Sequence, residues 1–551
     1  MKLTESKFLI QQYAKHQRMD PTGVRPARVA TNDKLGPEGL RFGPHEFELG
    51  TLQELHSRSH SCPFCGLAIR SLDYQRDVCL KENPSKTEDD FYNAGVTCFV
   101  SWQIDGRVTT KDASGNITGT RPCTRRIRLR WSTEKDELLD DKLRFFKHKL
   151  LDTYIVLMAP LNATKGLFLG RSPHSVKRDA ALIQRWIGFC EETHGDKCKP
   201  QSQDSPLSNG FFGVIDVTEM RLTKLPAGER YFALSYTWGK GVRPFVTTTE
   251  NIKSLLADGG LRKWLPHMPR TIRDAIKLVI DLRGRYLWVD SLCIIQDSDR
   301  SWALNSKIMD VVYGNAYLTI CAADGSNSNA GLKGLHGMGA FDSRPDRLEN
   351  QNIEQYDQNI RLMCTQPVEN YIRHSAWNTR GWTFQERLLS ARNLIFVAGR
   401  MYFQCRCVAR SVDIITEDAS AEWSIEFKDS PLLMLRKLPY QPLSVYKQSL
   451  QLYMTRELTH DKDILAAFTG IGNRICGALG GHLVFGLPSS HFDWALLWEP
   501  RHAAVRRENF GTEVFPSWSW CGWRKDIMEY KAEVLAGCED NLHDWLMKHT
   551  W

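Results

Sequence analysis

Two groups of residues in this chain have types and spacings that could do chemistry. The first lies mid-chain. Asp290 stands in the apolar run YLWVDSLCIIQ, where a carboxylate is costly to bury unless it is hydrogen-bonded or put to use. Glu386 lies in WTFQERLLS, four residues after Trp382 and so on the same helical face. A carboxylate beside an aromatic ring in a cleft suits a sugar-containing substrate. The plain alternative is an ion pair with Arg380, Arg387 or Arg392. Ser235, Tyr236 and Trp238 in ALSYTWG, with Gln296, supply rings to stack on and polar groups to fix an edge. Gly239 and Gly241 would let backbone approach a ligand closely. Cys293 shares the apolar run with Asp290 and reads as a small core residue, because no histidine accompanies it in a motif.

The second group consists of thiols. SCPFCGL places Cys62 and Cys65 in a CxxC knuckle of the kind zinc uses, and Cys190, His194 and Cys198 recur at i, i+4 spacing farther on. Cys62, Cys65, His194 and Cys198 would complete a closed Cys3His set for structural zinc, with Cys190 as a substitute and His56 and His60 as local competitors. The alternative is a set of metal-free thiols, with CPFC a simple turn.

These side chains need elements to position them. YFALSY, RYLWVDSLCII and AYLTICAAD read as buried strands. Between and after them come helices in PRTIRDAIKLVIDLRG, stopped by Gly284, in SWALNSKIMDVVYGN and in TRGWTFQERLLSA. NLIFVAGRMYFQCR closes as a strand pair turning at Gly399. Strand–helix alternation predicts a parallel sheet covered on both faces, with ligands at the carboxyl ends of its strands. Residues 1–206 read as a mixed α+β region, with the strands VTCFVSWQIDG, TRRIRLRWS and DTYIVLMAP, a turn at DASGN and a helix through AALIQRWIGFCEETHG; KPQSQDSPLSNG follows as a linker. Residues 407–551 read as mainly helical, with LSVYKQSLQLYMTREL as the best helix, FPSWSWCGW as an aromatic strap and NLHDWLMKHTW as a short amphipathic helix.

Bulk composition narrows the classes. A chain of 551 residues exceeds one compact core, and 42% hydrophobic residues with 25% charged exclude disorder as the main state. A net charge of +8 is spread along the chain; only RRIRLR, where Arg126, Arg128 and Arg130 alternate with Ile127, Leu129 and Trp131, offers a basic strand face, so nucleic acid is not the expected partner. The start of the chain lacks the apolar core of a signal peptide, and no run reaches the ~18 apolar residues of a membrane helix. Fifteen scattered cysteines then read as reduced thiols of a protein of the cytosol or nucleus.

The order LSYTWG, WVDSLCIIQ, GWTFQERLLS resembles the three blocks of the fungal heterokaryon-incompatibility (HET) domain. DVVYGNAYLTICAADGSNSNAGL, GVIDV, LTHDKDILAAFTGI and PSWSW are similar to its flanking segments, so the resemblance spans Phe212 to Trp523. Asn305 departs from it, where the family commonly carries an acid or Gln. The resemblance implies a domain over 210–406 with a flavodoxin-like parallel sheet, distantly similar to TIR domains, and a role in fungal non-self recognition and programmed cell death. The TIR likeness rests on ALSY and on the Trp382–Glu386 spacing. It implies that Glu386 stabilises the cationic ribose left when the nicotinamide–ribose bond of NAD or a related nucleotide breaks, with Ser235, Tyr236, Trp238, Asp290, Gln296 and Trp382 around the nucleotide. The rival reading is a non-enzymatic signalling module that self-associates or binds a protein partner, away from membranes.

Overall fold

The structure, a computed structural model, describes residues 46–112, 114–133, 150–160, 167–171, 179–199, 212–239, 245–335, 352–358, 360–417, 421–507, 515–524 and 528–530. The linker KPQSQDSPLSNG, apart from its first residue, and the terminal NLHDWLMKHTW lie outside them.

Hydrophobic strands in the middle of the chain build an eight-stranded sheet. Its order is Ala409–Ser411, Arg400–Cys405, Arg392–Val397, Leu318–Ala322, Tyr231–Tyr236, Tyr286–Val289, Gly213–Asp216, Arg221–Lys224. The four middle strands are parallel to one another, and every other pairing is antiparallel. The expected flavodoxin-like parallel sheet is therefore corrected to a mixed one, in which the strand pair expected to turn at Gly399 is one of the antiparallel pairings. Short connections are the reason: residues 398 and 399, both at positive φ (52° and 64°), turn the chain straight back, and only antiparallel strands can be joined so tightly.

Three local expectations also change. The buried strand through RYLWVDSLCII stops at Val289, and Asp290–Cys293 form a helical turn. SWALNSKIMDVVYGN divides into Asp299–Ser306 and Met309–Asn315. The helix Arg270–Asp281 buries Ile272, Ala275, Ile276 and Val279 as its periodicity demands, but Arg283, not Gly284, adopts the left-handed conformation beyond its end (φ 59°). Gly284 is small for a different reason. A Cβ there would lie 2.3 Å from the Phe232 ring and 2.9 Å from Val279.

A second, antiparallel sheet carries the N-terminal strands Phe47–Thr51, Val96–Lys111, Ile117–Thr133 and Thr153–Leu157, and is extended by Ile360–Thr365 and Ile353–Asp357 from the middle of the chain. The basic strand belongs here, and each arginine has an acid. Arg126 is fully buried between Asp105 and Glu426, Arg128 meets Asp152 at 2.7 Å, and Arg130 meets Glu46 at 2.7 Å. The helix Asp179–His194 joins the other core: its Leu182, Ile183, Trp186 and Ile187 pack with strands of the eight-stranded sheet. A third core forms among Pro442–Met454, Ala466–Leu479 and the aromatic strap, whose Phe515 and Trp520 are buried, and it takes in Phe384, Leu388 and Leu389 of the Glu386 helix. Among the described residues, no helix is long and apolar enough to cross a membrane.

Removing one partner of a buried ion group leaves the others uncompensated. Arg126→Ala strands Asp105 and Glu426 and is expected to lower unfolding free energy by about 3–5 kcal/mol, read as an earlier midpoint in urea; an unchanged midpoint refutes the assignment.

Candidate functional site

Strand Tyr231–Tyr236 is buried throughout, so its polar residue Ser235 must find partners inside. It finds two. The Ser235 hydroxyl donates to a carboxylate oxygen of Glu386 and accepts a 2.8 Å hydrogen bond from the Trp377 indole N–H. Glu386 is held in the helix Trp382–Leu389, with 5% of its surface exposed. Burial pushes its carboxyl from 4.5 up to about 7, against the Arg380 charge and the Ser235 hydrogen bond, which both favour ionisation. The helix is pinned beyond the acid as well: the Ser390 hydroxyl donates to the Glu386 carbonyl at 2.6 Å and lies 2.7 Å from the Thr319 hydroxyl of a neighbouring strand.

The ion-pair alternatives for Glu386 separate cleanly. Arg387 turns away to a buried pair with Glu369, also contacting Gln404 at 2.9 Å. Arg392 donates to Cys190 at 3.3 Å. Arg380 donates to the Tyr236 carbonyl and acts on Glu386 through its charge.

Beside this pair, the strand ends carry the other expected residues. Trp238 Nε1 donates to Asp290 Oδ2 at 2.9 Å, and the other Asp290 oxygen accepts the Ser291 N–H at 2.7 Å. Burial pushes the Asp290 carboxyl up, and Arg380 pulls it down. Tyr236 is buried and donates to Ser291 at 2.9 Å, so its ring belongs to the core rather than to a stacking surface. Gln296 is spent locally, donating to the carbonyls of Asp290 and Ile294 at 3.0 and 3.1 Å. Trp382 packs edge-on against Trp302. Gly239 (φ 95°) makes room for protein, not ligand, since a Cβ there would meet the Asn327 side chain at 2.4 Å. Gly241 lies outside the described residues. Cys293 is half-buried, accepts the Val289 N–H at 3.3 Å, and is pushed up to about 12 by burial, as suits a core thiol. Asn305 donates to the Ser301 carbonyl of its own helix.

Sequence reasoning missed Trp377 and the part Tyr313 plays. The Tyr313 hydroxyl donates to the Leu234 carbonyl at 3.2 Å and borders Glu386. An indole five residues before Trp382 in SAWNTRGW was the available signal for Trp377.

The thiols regroup. Cys62 and Cys65 sit at the start of the helix Pro63–Arg70 in the N-terminal core, where the Cys65 N–H donates to Cys62 Sγ; His56 stacks on Tyr92. Neither thiol reaches His194 and Cys198. Those two instead meet Cys190 and Cys405, from strand Arg400–Cys405, which sequence reasoning overlooked although CRC at 405–407 pairs two thiols one residue apart.

Residues 231–386 match the family model described as Heterokaryon incompatibility protein (HET). The chain is also 25% identical, over 235 residues, to Heterokaryon incompatibility protein 6, OR allele, of Neurospora crassa; the alignment covers 36% of this chain and 34% of that protein. The chain thus spans about a third of that relative's length. No solved structure matches.

The raised Glu386 carboxyl carries a stability signature. Between pH 4.5 and about 7 the folded state keeps a proton that the unfolded state has lost, so this group's contribution falls as pH rises through that window. Glu386→Gln should flatten the fall by up to ~3 kcal/mol, measured as urea midpoints of both proteins at pH 5 and about pH 8; parallel curves would show an ordinary carboxyl.

Proposed function

We propose, from the match of residues 231–386 to the heterokaryon-incompatibility (HET) family model, that this protein acts in fungal non-self recognition and the cell death that follows it, and that Glu386 is the group through which it acts on a nucleotide. One observation carries the reading: a carboxyl with its proton affinity raised into the neutral range meets Ser235 on one of the parallel strands, beside the Trp238–Asp290 pair. Perturbed acids at such a place are functional-site candidates on physical grounds.

The chemistry is hydrolysis of an N-glycosidic bond in NAD or a related nucleotide. The bond from ribose C1′ to the nicotinamide nitrogen breaks, and its electron pair leaves with nicotinamide. Water adds its oxygen to C1′ and releases a proton to solvent. Glu386, ionised once the site closes on the cationic substrate, stabilises the positive ribose electrostatically. Ser235 and Trp377 orient the carboxyl, and Trp238 offers a ring edge near the strand ends. Since Glu386 is 5% exposed, this reading requires that the acid be uncovered when substrate enters.

That same burial favours a second reading, a signalling module that acts by self-association or by binding a protein partner. The two part on one measurement. Purified full-length protein incubated with NAD should release nicotinamide, and Glu386→Gln, which keeps the shape and a polar contact to Ser235, should lower the rate by roughly 10²-fold or more. No release from folded protein, or equal release by the variant, removes the enzymatic reading and leaves the module.

A further inference from the structure

The structure assigns a tetracoordinate structural zinc site to Cys190, His194, Cys198 and Cys405. Two elements supply it. Cys190 and His194 stand one turn apart at the end of the helix Asp179–His194, and Cys198 closes the short turn Gly195–Cys198 that follows. Cys405 ends the strand Arg400–Cys405. The helix reaches that strand by packing Trp186 on Phe403, ring centroids 6.1 Å apart.

Geometry singles out this group. The four ligand atoms lie within 4.8 Å of one another. Zinc bonds of about 2.3 Å to sulfur and about 2.1 Å to nitrogen, arranged tetrahedrally, put two sulfurs about 3.8 Å apart and a sulfur and a nitrogen about 3.6 Å apart. His194 Nδ1 lies 3.5 Å from Cys405 Sγ. A shared cation accounts for four such donors converging at that spacing from two separate elements.

The surroundings are those of bound thiolates. The N–H groups of Cys407 and Val408 both point to Cys405 Sγ at 3.4 Å, and Arg392 donates to Cys190 Sγ at 3.3 Å. Such donors orient ligands and spread their charge. Three thiols release their protons on binding, so zinc with three thiolates and a neutral histidine carries one negative charge, and Arg392 lies beside it while also meeting Glu191 at 3.8 Å. Four protein ligands, three of them buried thiols, would leave no open position for a substrate, which makes the site structural rather than catalytic. Cys407, 3.7 Å from Cys198 Sγ, stands just outside the four. The metal would clamp the 179–198 segment to the sheet that carries the HET motifs.

The test uses untagged full-length protein, purified under reducing conditions without added metal and analysed for metal by mass spectrometry. About one zinc per chain is expected, and Cys198→Ser and Cys405→Ser should each fall to roughly a tenth of that or less. Cys62→Ser/Cys65→Ser should keep the full complement. Should the first two variants fail to fold, cobalt exchanged into the wild-type protein reports instead, through sulfur-to-cobalt charge-transfer bands that three thiolates produce. A strong chelator should lower the melting temperature of wild type. Folded wild-type protein that takes up no zinc or cobalt when equilibrated with either, a disulfide among these cysteines after reducing purification, or zinc lost from the Cys62/Cys65 variant but kept by Cys405→Ser would each overturn the site.

Discussion

A carboxyl buried against the hydroxyl of an inner strand is the constraint around which the central domain is organised. Glu386 and Ser235 are 151 residues apart in sequence, and their contact can exist only if the helix Trp382–Leu389 lies against the parallel strands in one register. Burying an acid is costly unless its oxygens are satisfied. The Ser235 hydroxyl, the nearby charge of Arg380 and the Tyr313 hydroxyl offset part of that cost. Displacing the helix by one residue would replace the acid with Gln385 or Arg387, both of which have other partners, Gly470 and Glu369 respectively.

The rest of the molecule supports that helix from behind. Its apolar side enters the third core through Phe384, Leu388 and Leu389, where Phe384 stacks near Phe468. Gly470 permits the close approach, since a Cβ there would lie 2.3 Å from Asp310 and 2.8 Å from Gln385. The C-terminal region is thus the floor on which the Glu386 helix rests. The N-terminal sheet is tied in differently, by borrowing the strands 353–357 and 360–365 from the middle of the chain.

Much of this was legible in the residue order. The periodicity of Ile272, Ala275, Ile276 and Val279 predicts their helix, and the buried run YFALSY predicts its strand, because both signals depend only on neighbours within a turn or two. The motif blocks also singled out Ser235, Trp238, Asp290 and Glu386 as residues of interest, and the fold gathers them at one end of the parallel strands. Tyr236, Gln296 and Trp382 belonged to the same motifs, yet their side chains stabilise the motif itself: the Tyr236 hydroxyl reaches Ser291, Gln296 braces the turn after Asp290, and Trp382 packs on Trp302. A motif reports that residues occur together, not which of them face inward.

By itself the sequence determined element types, the family motifs and the supply of acids and thiols, since each follows from local spacing or composition. Only the tertiary structure decided that the sheet is mixed, that Gly239 accommodates Asn327, and which thiols are neighbours. His194 and Cys405 are 211 residues apart, and Cys62 looked a better partner because it sat in a recognisable knuckle. The physical reason is common to all three. Hydrogen-bonding and steric preferences act over a few residues, whereas contacts across hundreds are set by how entire layers pack, a property of the whole chain that no short window contains.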